Sequence, residues 1–110
     1  MTVALPHDLF EALRAYAERL RARFGARLRL VRLFGSWARG EATEDSDVDV
    51  AVVVEGLTRQ EWRDAVGDAC SLDETDVTLS PFVVSGEHFD LLLARERRIA
   101  KDILDQGITP

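Results

Sequence analysis

Two carboxylates one residue apart, Asp47 and Asp49, lead into the apolar run Val50-Ala51-Val52-Val53-Val54. On a strand, residues two apart share a face, so both acids project together while Val48 and Val50 point the other way. Two ionised carboxylates held side by side on rigid backbone repel each other, and a bound divalent cation relieves that repulsion. Upstream, Gly35-Ser36 offers unblocked backbone amides and a hydroxyl, which suits a phosphate. A phosphate-binding turn beside metal-binding carboxylates is the layout of metal-assisted phosphoryl or nucleotidyl transfer.

Simpler readings of the acids fail or explain less. Asp45, Asp47 and Asp49 have the spacing that opens an EF-hand loop. That loop then needs Gly where Val50 stands and Glu where Gly56 stands. A solvated acidic turn would not call for the Gly-Ser pair upstream.

The elements that must position these residues follow from periodicity. Pro6 to Phe24 reads as an amphipathic helix with Leu9, Leu13, Ala17, Leu20 and Phe24 on one stripe. Pro6 suits its first turn and Gly25 its end. Tyr16 is expected to be a half-buried packing residue. Arg27 to Phe34 alternates as a first strand, and Ser36 to Gly40 forms a short helical turn whose start faces phosphates. Trp37 is expected to pack or line the rim. The Val50–Val54 run suits a strand buried on both faces.

Leu57 to Leu72 is a second long helix. Thr58 and Glu61 form a capping box, and Trp62, Val66, Ala69 and Cys70 make the apolar stripe. Cys70 is read as a small core hydrophobe and neither His7 nor His88 as a metal ligand. Asp76 to Val84 is the third strand, where Pro81 implies an edge or a bulge. A last helix runs from Gly86 to Gln106, capped by Ser85 and stopped by Gly107. Its core face is Phe89, Leu92, Leu93, Ile99, Ile103 and Leu104. The order gives a mixed α/β (α+β) domain spanning 1–110.

The chain has 110 residues, 46% hydrophobic and 31% charged, which suits one globular domain. Its net charge of −6 argues against coating bulk nucleic acid. The charge is uneven: residues 1–40 carry eight arginines against Asp8, Glu11 and Glu18, a local +5, and the remainder carries −11. Arg19, Arg21, Arg23, Arg27 and Arg29 could steer an acidic partner. One cysteine excludes an intrachain disulfide and suits a reducing compartment. With no signal pattern and no apolar run of spanning length, the expectation is a cytoplasmic protein without a membrane segment.

Gly35-Ser36-x-x-Arg39-Gly40 followed by Ser46-Asp47-x-Asp49 resembles the signature of the DNA polymerase β superfamily, and within it the minimal nucleotidyltransferases (MNT proteins). The resemblance implies a short mixed β-sheet with helices packed on one side and the carboxylates on the open side. It implies transfer of a nucleoside monophosphate, AMP from ATP, with two Mg²⁺ ions bridged by Asp47 and Asp49. The same pattern requires a third carboxylate on a neighbouring strand, and Asp76 fits it as a metal ligand and acceptor of the nucleophile's proton. Gly35 and Ser36 suit the triphosphate. Arg39 pairs with a phosphate or braces the loop through an acid such as Glu44. Ser46 falls in the same nucleotide-binding motif, although its hydroxyl suits capping the loop better.

The family also implies a HEPN-type protein partner in a toxin–antitoxin pair, the MNT chain being the antitoxin and transferring AMP to its partner. The alternatives are a non-catalytic antitoxin that neutralises by contact, and a small-molecule nucleotidyltransferase acting on an antibiotic. A domain this small has little left to enclose the base or hold an acceptor. The missing wall points to a partner or to a second copy in a homo-oligomer.

Overall fold

The computed structural model describes residues 7–43, 47–71 and 79–110. Helix α1 (His7–Phe24) leads through a 3₁₀ turn (Gly25–Arg27) into β1 (Leu28–Phe34). A single-turn helix α2 (Ser36–Arg39) precedes β2 (Val48–Val54), then α3 (Arg59–Cys70), β3 (Leu79–Ser85), α4 (Gly86–Ala94) and α5 (Arg98–Gln106). The sheet order is β1-β2-β3, with β1 antiparallel and β3 parallel to the central β2. The mixed α/β sheet architecture is as expected, and Pro81 lies on edge strand β3, where no outer ladder bond is asked of it.

The helices cover both faces of the sheet, not one. Val48, Val50, Val52 and Val54 pack with Val31, Leu33, Leu79 and Val83 against the buried stripe Leu9, Leu13, Ala17, Leu20 and Phe24 of α1 and against α3. Ala51 and Val53 pack on the opposite face with Phe89 of α4 and Ala100 and Ile103 of α5. The reason is the continuous apolar run of β2. A strand apolar on both sides needs cover on both.

Three further expectations are corrected. The single last helix is two. Glu96 takes φ 53°, and the Arg97 and Glu96 amides bond to the Leu92 (2.9 Å) and Leu93 (3.0 Å) carbonyls. This is a Schellman ending built without glycine, and it folds α5 back onto the sheet. Ala100 is buried by that return, while Leu104 stays exposed. On α3 the buried residues are Ala65 and Ala69. Trp62 is 45% exposed and Cys70 is also exposed, so the stripe is turned by about one residue. Alanines at the contact let α3 approach α1 closely. Tyr16 is fully buried there, and its hydroxyl donates to the Ala65 carbonyl at 2.8 Å. Burial raises the phenol pKa, which keeps it a protonated donor.

The start of α3 is held as the capping box requires. The Thr58 hydroxyl accepts from the Glu61 amide, and the Glu61 carboxylate accepts from the Thr58 amide. Arg27 places its fork on the same carboxylate at 2.7 and 2.8 Å and reaches the Glu55 and Gly56 carbonyls at 3.0 Å. This fixes the β2–α3 connection against the entry to β1.

Candidate active site

The end of β1 and the start of β2 meet because the strands are antiparallel, with Phe34 opposite Asp49. The chain must then leave β1 without striking Asp49, and Gly35 makes that exit. It adopts φ 75° and ψ −152°, a region reserved almost wholly for glycine. A Cβ there would overlap Asp49 Oδ2 and lie 3.3 Å from Asp49 Cγ. Backbone conformation and close approach therefore both demand glycine. The turn continues into α2, where the Arg39 amide bonds to the Gly35 carbonyl at 3.1 Å and the Glu41 amide to the Ser36 carbonyl at 2.9 Å. Trp37 is half-buried against the core.

Strand alternation sets the carboxylate. Val48 and Val50 are buried towards α1 and α3, and Asp49 lies on the face of Ala51 and Val53 at the strand's beginning. It is half-buried and Asp47 is exposed. Desolvation raises the Asp49 carboxyl above the usual range, the negative charge of Asp47 adds to the rise, and Arg39 opposes it. Nearby acids in such a state suit a cation. Among the described residues no three metal-ligating side chains cluster.

Gly35, Ser36, Arg39, Asp47 and Asp49 thus converge at one end of the sheet. Ser46 and Asp76 lie outside the described residues, as do Glu44, Asp73 and Glu74. Arg39 pairs with Glu41 at 3.1 Å, the Glu41 side chain being largely exposed and that of Arg39 partly so. Such a pair is worth little and is readily exchanged for another anion. Register adds one residue that spacing alone did not mark: Ser80 of β3 stands opposite Asp49 on the other side from Phe34. Its signal was weak, an even separation from Asp76 in an alternating strand.

The fold is that of the nucleotidyltransferases. The chain matches the nucleotidyltransferase domain family over residues 13–105 and belongs to it. It is 44% identical over 57 residues to the protein adenylyltransferase MntA of Thermococcus cleftensis, a match covering 52% of this chain and 56% of that protein. The chain thus spans about half the length of the curated relatives it matches. A structure provisionally assigned as a minimal nucleotidyltransferase superposes with a TM-score of 0.58 at 30% identity, covering 93% of this chain and 92% of that one. A toxin–antitoxin structure with AMP-PNP shares the fold, with a TM-score of 0.53 at 23% identity over 86% of this chain and 68% of the other. Among the described residues no helix is long and apolar enough to cross a membrane.

Proposed function

We propose that the chain is a Mg²⁺-dependent nucleotidyltransferase that moves AMP from ATP to a partner protein, as the antitoxin of a HEPN-type toxin–antitoxin pair in the cytoplasm. The observation that carries this is Asp49, half-buried, raised in pKa beside Asp47, and packed against a glycine turn at a strand end. The name of the Thermococcus relative and the AMP-PNP in the toxin–antitoxin neighbour favour adenylyl transfer and a protein partner.

In this reading the Gly35 turn lets the triphosphate approach the backbone, and the Ser36 hydroxyl bonds to it. No partner within the described residues competes for that hydroxyl. Arg39 releases Glu41 to meet a phosphate. Asp47 and Asp49 hold the cations, two in the family's pattern. When bound, these supply charge neutralisation of the triphosphate and of the attacking and leaving oxygens. Asp76 takes the acceptor's proton. Asp76 lies outside the described residues, and its part in this reading rests on the family's pattern and on its position in the sequence.

The test is co-expression with the neighbouring coding sequence and intact-mass measurement of that neighbour. An added AMP that disappears with Asp49→Asn supports the enzyme. A tight complex without an adduct, neutralised equally well by the Asp49 variant, replaces it with a contact-only antitoxin.

A further inference from the structure

Sheet edges present backbone groups that another chain can use. The outer edge of β1 is capped at one point only among the described residues. There Leu33 and Ile108 exchange two bonds of 2.8 Å, so the N–H and C=O of Leu33 face away from β2. Residues two apart on a strand offer their backbone to the same edge, which turns Val31 outward as well. Continued in the same register, the tail would bring Pro110 opposite Val31, and proline has no N–H to give. Among the described residues no backbone bond meets Val31 on that edge.

A groove of about 220 Å³ lies there, lined by Leu28 to Arg32 of β1, Arg21 of α1 and Thr109. Its charges differ in availability. Arg29 is balanced by Asp90 at 2.8 Å and Glu55 at 3.4 Å. Arg21 has no ion-pair partner among the described residues. Arg32 donates to the carbonyls of Ile103 and Leu104 at the end of α5, which are not anions, and keeps its charge. Of the other arginines on this half of the chain, Arg23 is held by Asp68 and Asp64, and Arg27 by Glu61. Arg14 lies over the Phe10 ring and Arg19 donates to the Ser71 hydroxyl, away from this groove. Of the three arginines that line the groove, the two without an ion pair among the described residues, Arg21 of α1 and Arg32 of β1, flank the open strand edge.

We propose that this edge docks an extended acidic segment of a partner protein, which joins the sheet as a fourth strand beside β1. Main-chain bonds to Val31 supply the pairing, and acidic side chains meeting Arg21 and Arg32 supply the selection. A second copy of this chain is the wrong occupant. Pairing two β1 edges about a two-fold axis would bring like arginines together, which is unfavourable across neighbouring strands. The proposal stands apart from the nucleotidyl transfer argued above and requires no metal or nucleotide.

The probe is a capped octapeptide of alternating glutamate and threonine, added to ¹⁵N-labelled protein while amide hydrogen exchange is followed. Val31 should slow by roughly tenfold or more, with little change at Arg32, whose amide already faces β2. Arg21→Glu, an exposed helix substitution, should weaken binding about tenfold, and the alternating lysine–threonine peptide should not bind. Methylating alternate peptide nitrogens keeps the charge and removes the ladder, so it should abolish protection of Val31. Equal protection by the methylated peptide, or an unaltered Val31 at millimolar acidic peptide, overturns the proposal. So does Val31 protection that grows with protein concentration without peptide, since that assigns the edge to a second copy.

Discussion

Gly35 and Asp49 occupy one space: where a side chain on Gly35 would begin, the Asp49 carboxylate already sits. The antiparallel register that pairs Phe34 with Asp49 brings them together, and the positive φ of Gly35 carries the chain out of the strand. The turn proposed to receive phosphate and the acid proposed to receive metal are thus one packing unit.

Gly35→Ala should therefore damage the fold and the site at once. The backbone region alone costs about 1–3 kcal/mol for a residue with a Cβ. The overlap with Asp49 must be relieved by moving the carboxylate or the turn. We expect a lower denaturation midpoint with an unchanged m-value, and loss of Mg²⁺-dependent ATP binding by calorimetry. An unchanged midpoint would show that the turn is not held as described.

Glu61 links stability to acid pH. The Arg27 fork, followed by the Thr58 amide, lowers its carboxyl from 4.5 to about 2. Because the folded value lies below the unfolded one, its contribution is full above about pH 4.5 and is lost as pH falls through about 2. Glu61→Gln keeps a capping acceptor but removes the charge. Between those pH values the melting temperature of the parent should fall more steeply than that of Glu61→Gln. Parallel curves would mean that the Arg27 pair contributes nothing in solution.

Much of this arrangement could be read before the structure, and the failures have definite causes. The α1 stripe was legible because Leu9, Leu13, Ala17, Leu20 and Phe24 repeat with a helical period, and all are buried. Gly35, Ser36, Asp47 and Asp49 were legible as types because few backgrounds need glycine, hydroxyl and paired acids together. Their joining through the Phe34–Asp49 pair needed the register, a non-local fact. The α4–α5 break was invisible because neither Gly nor Pro marks it; a glutamate takes the left-handed position. On α3, alanine is too neutral a signal to outvote Trp62 and Cys70, and the decisive contact, Tyr16 with Ala65, spans 49 residues. The two-sided cover of the sheet was present in the Val50–Val54 run, but the family resemblance pointed to one side.

Glu96 is strained for a reason unconnected with chemistry. A non-glycine residue in the left-handed region costs roughly 1–2 kcal/mol, partly offset in any glycine variant by the entropy glycine loses on folding. Its ion pair with Lys101 is long, 3.9 Å, and exposed, so little is lost with it. Glu96→Gly should stabilise the chain by about 0.5–1 kcal/mol, read as a higher denaturation midpoint. Glu96→Val should do the opposite. Destabilisation by glycine would mean that the α4–α5 corner is not the Schellman ending seen here.

Asp49→Asn should separate stability from function. Asp49 is raised in pKa by burial and by Asp47, so its ionised form is disfavoured in the folded protein. Asparagine has nearly the same shape and removes that charge. With EDTA present, the Asn variant should melt at a higher temperature than the parent at neutral pH. Adding Mg²⁺ and a non-hydrolysable ATP analogue should raise the parent's melting temperature, because a ligand that binds only the folded state stabilises it by mass action. The variant should gain little and should bind the nucleotide weakly by calorimetry. Sites that hold like charges together for a ligand commonly cost stability in its absence. If Asp49→Asn is less stable than the parent without metal and still responds fully to Mg²⁺ and nucleotide, Asp49 is a structural residue and the cation site lies elsewhere.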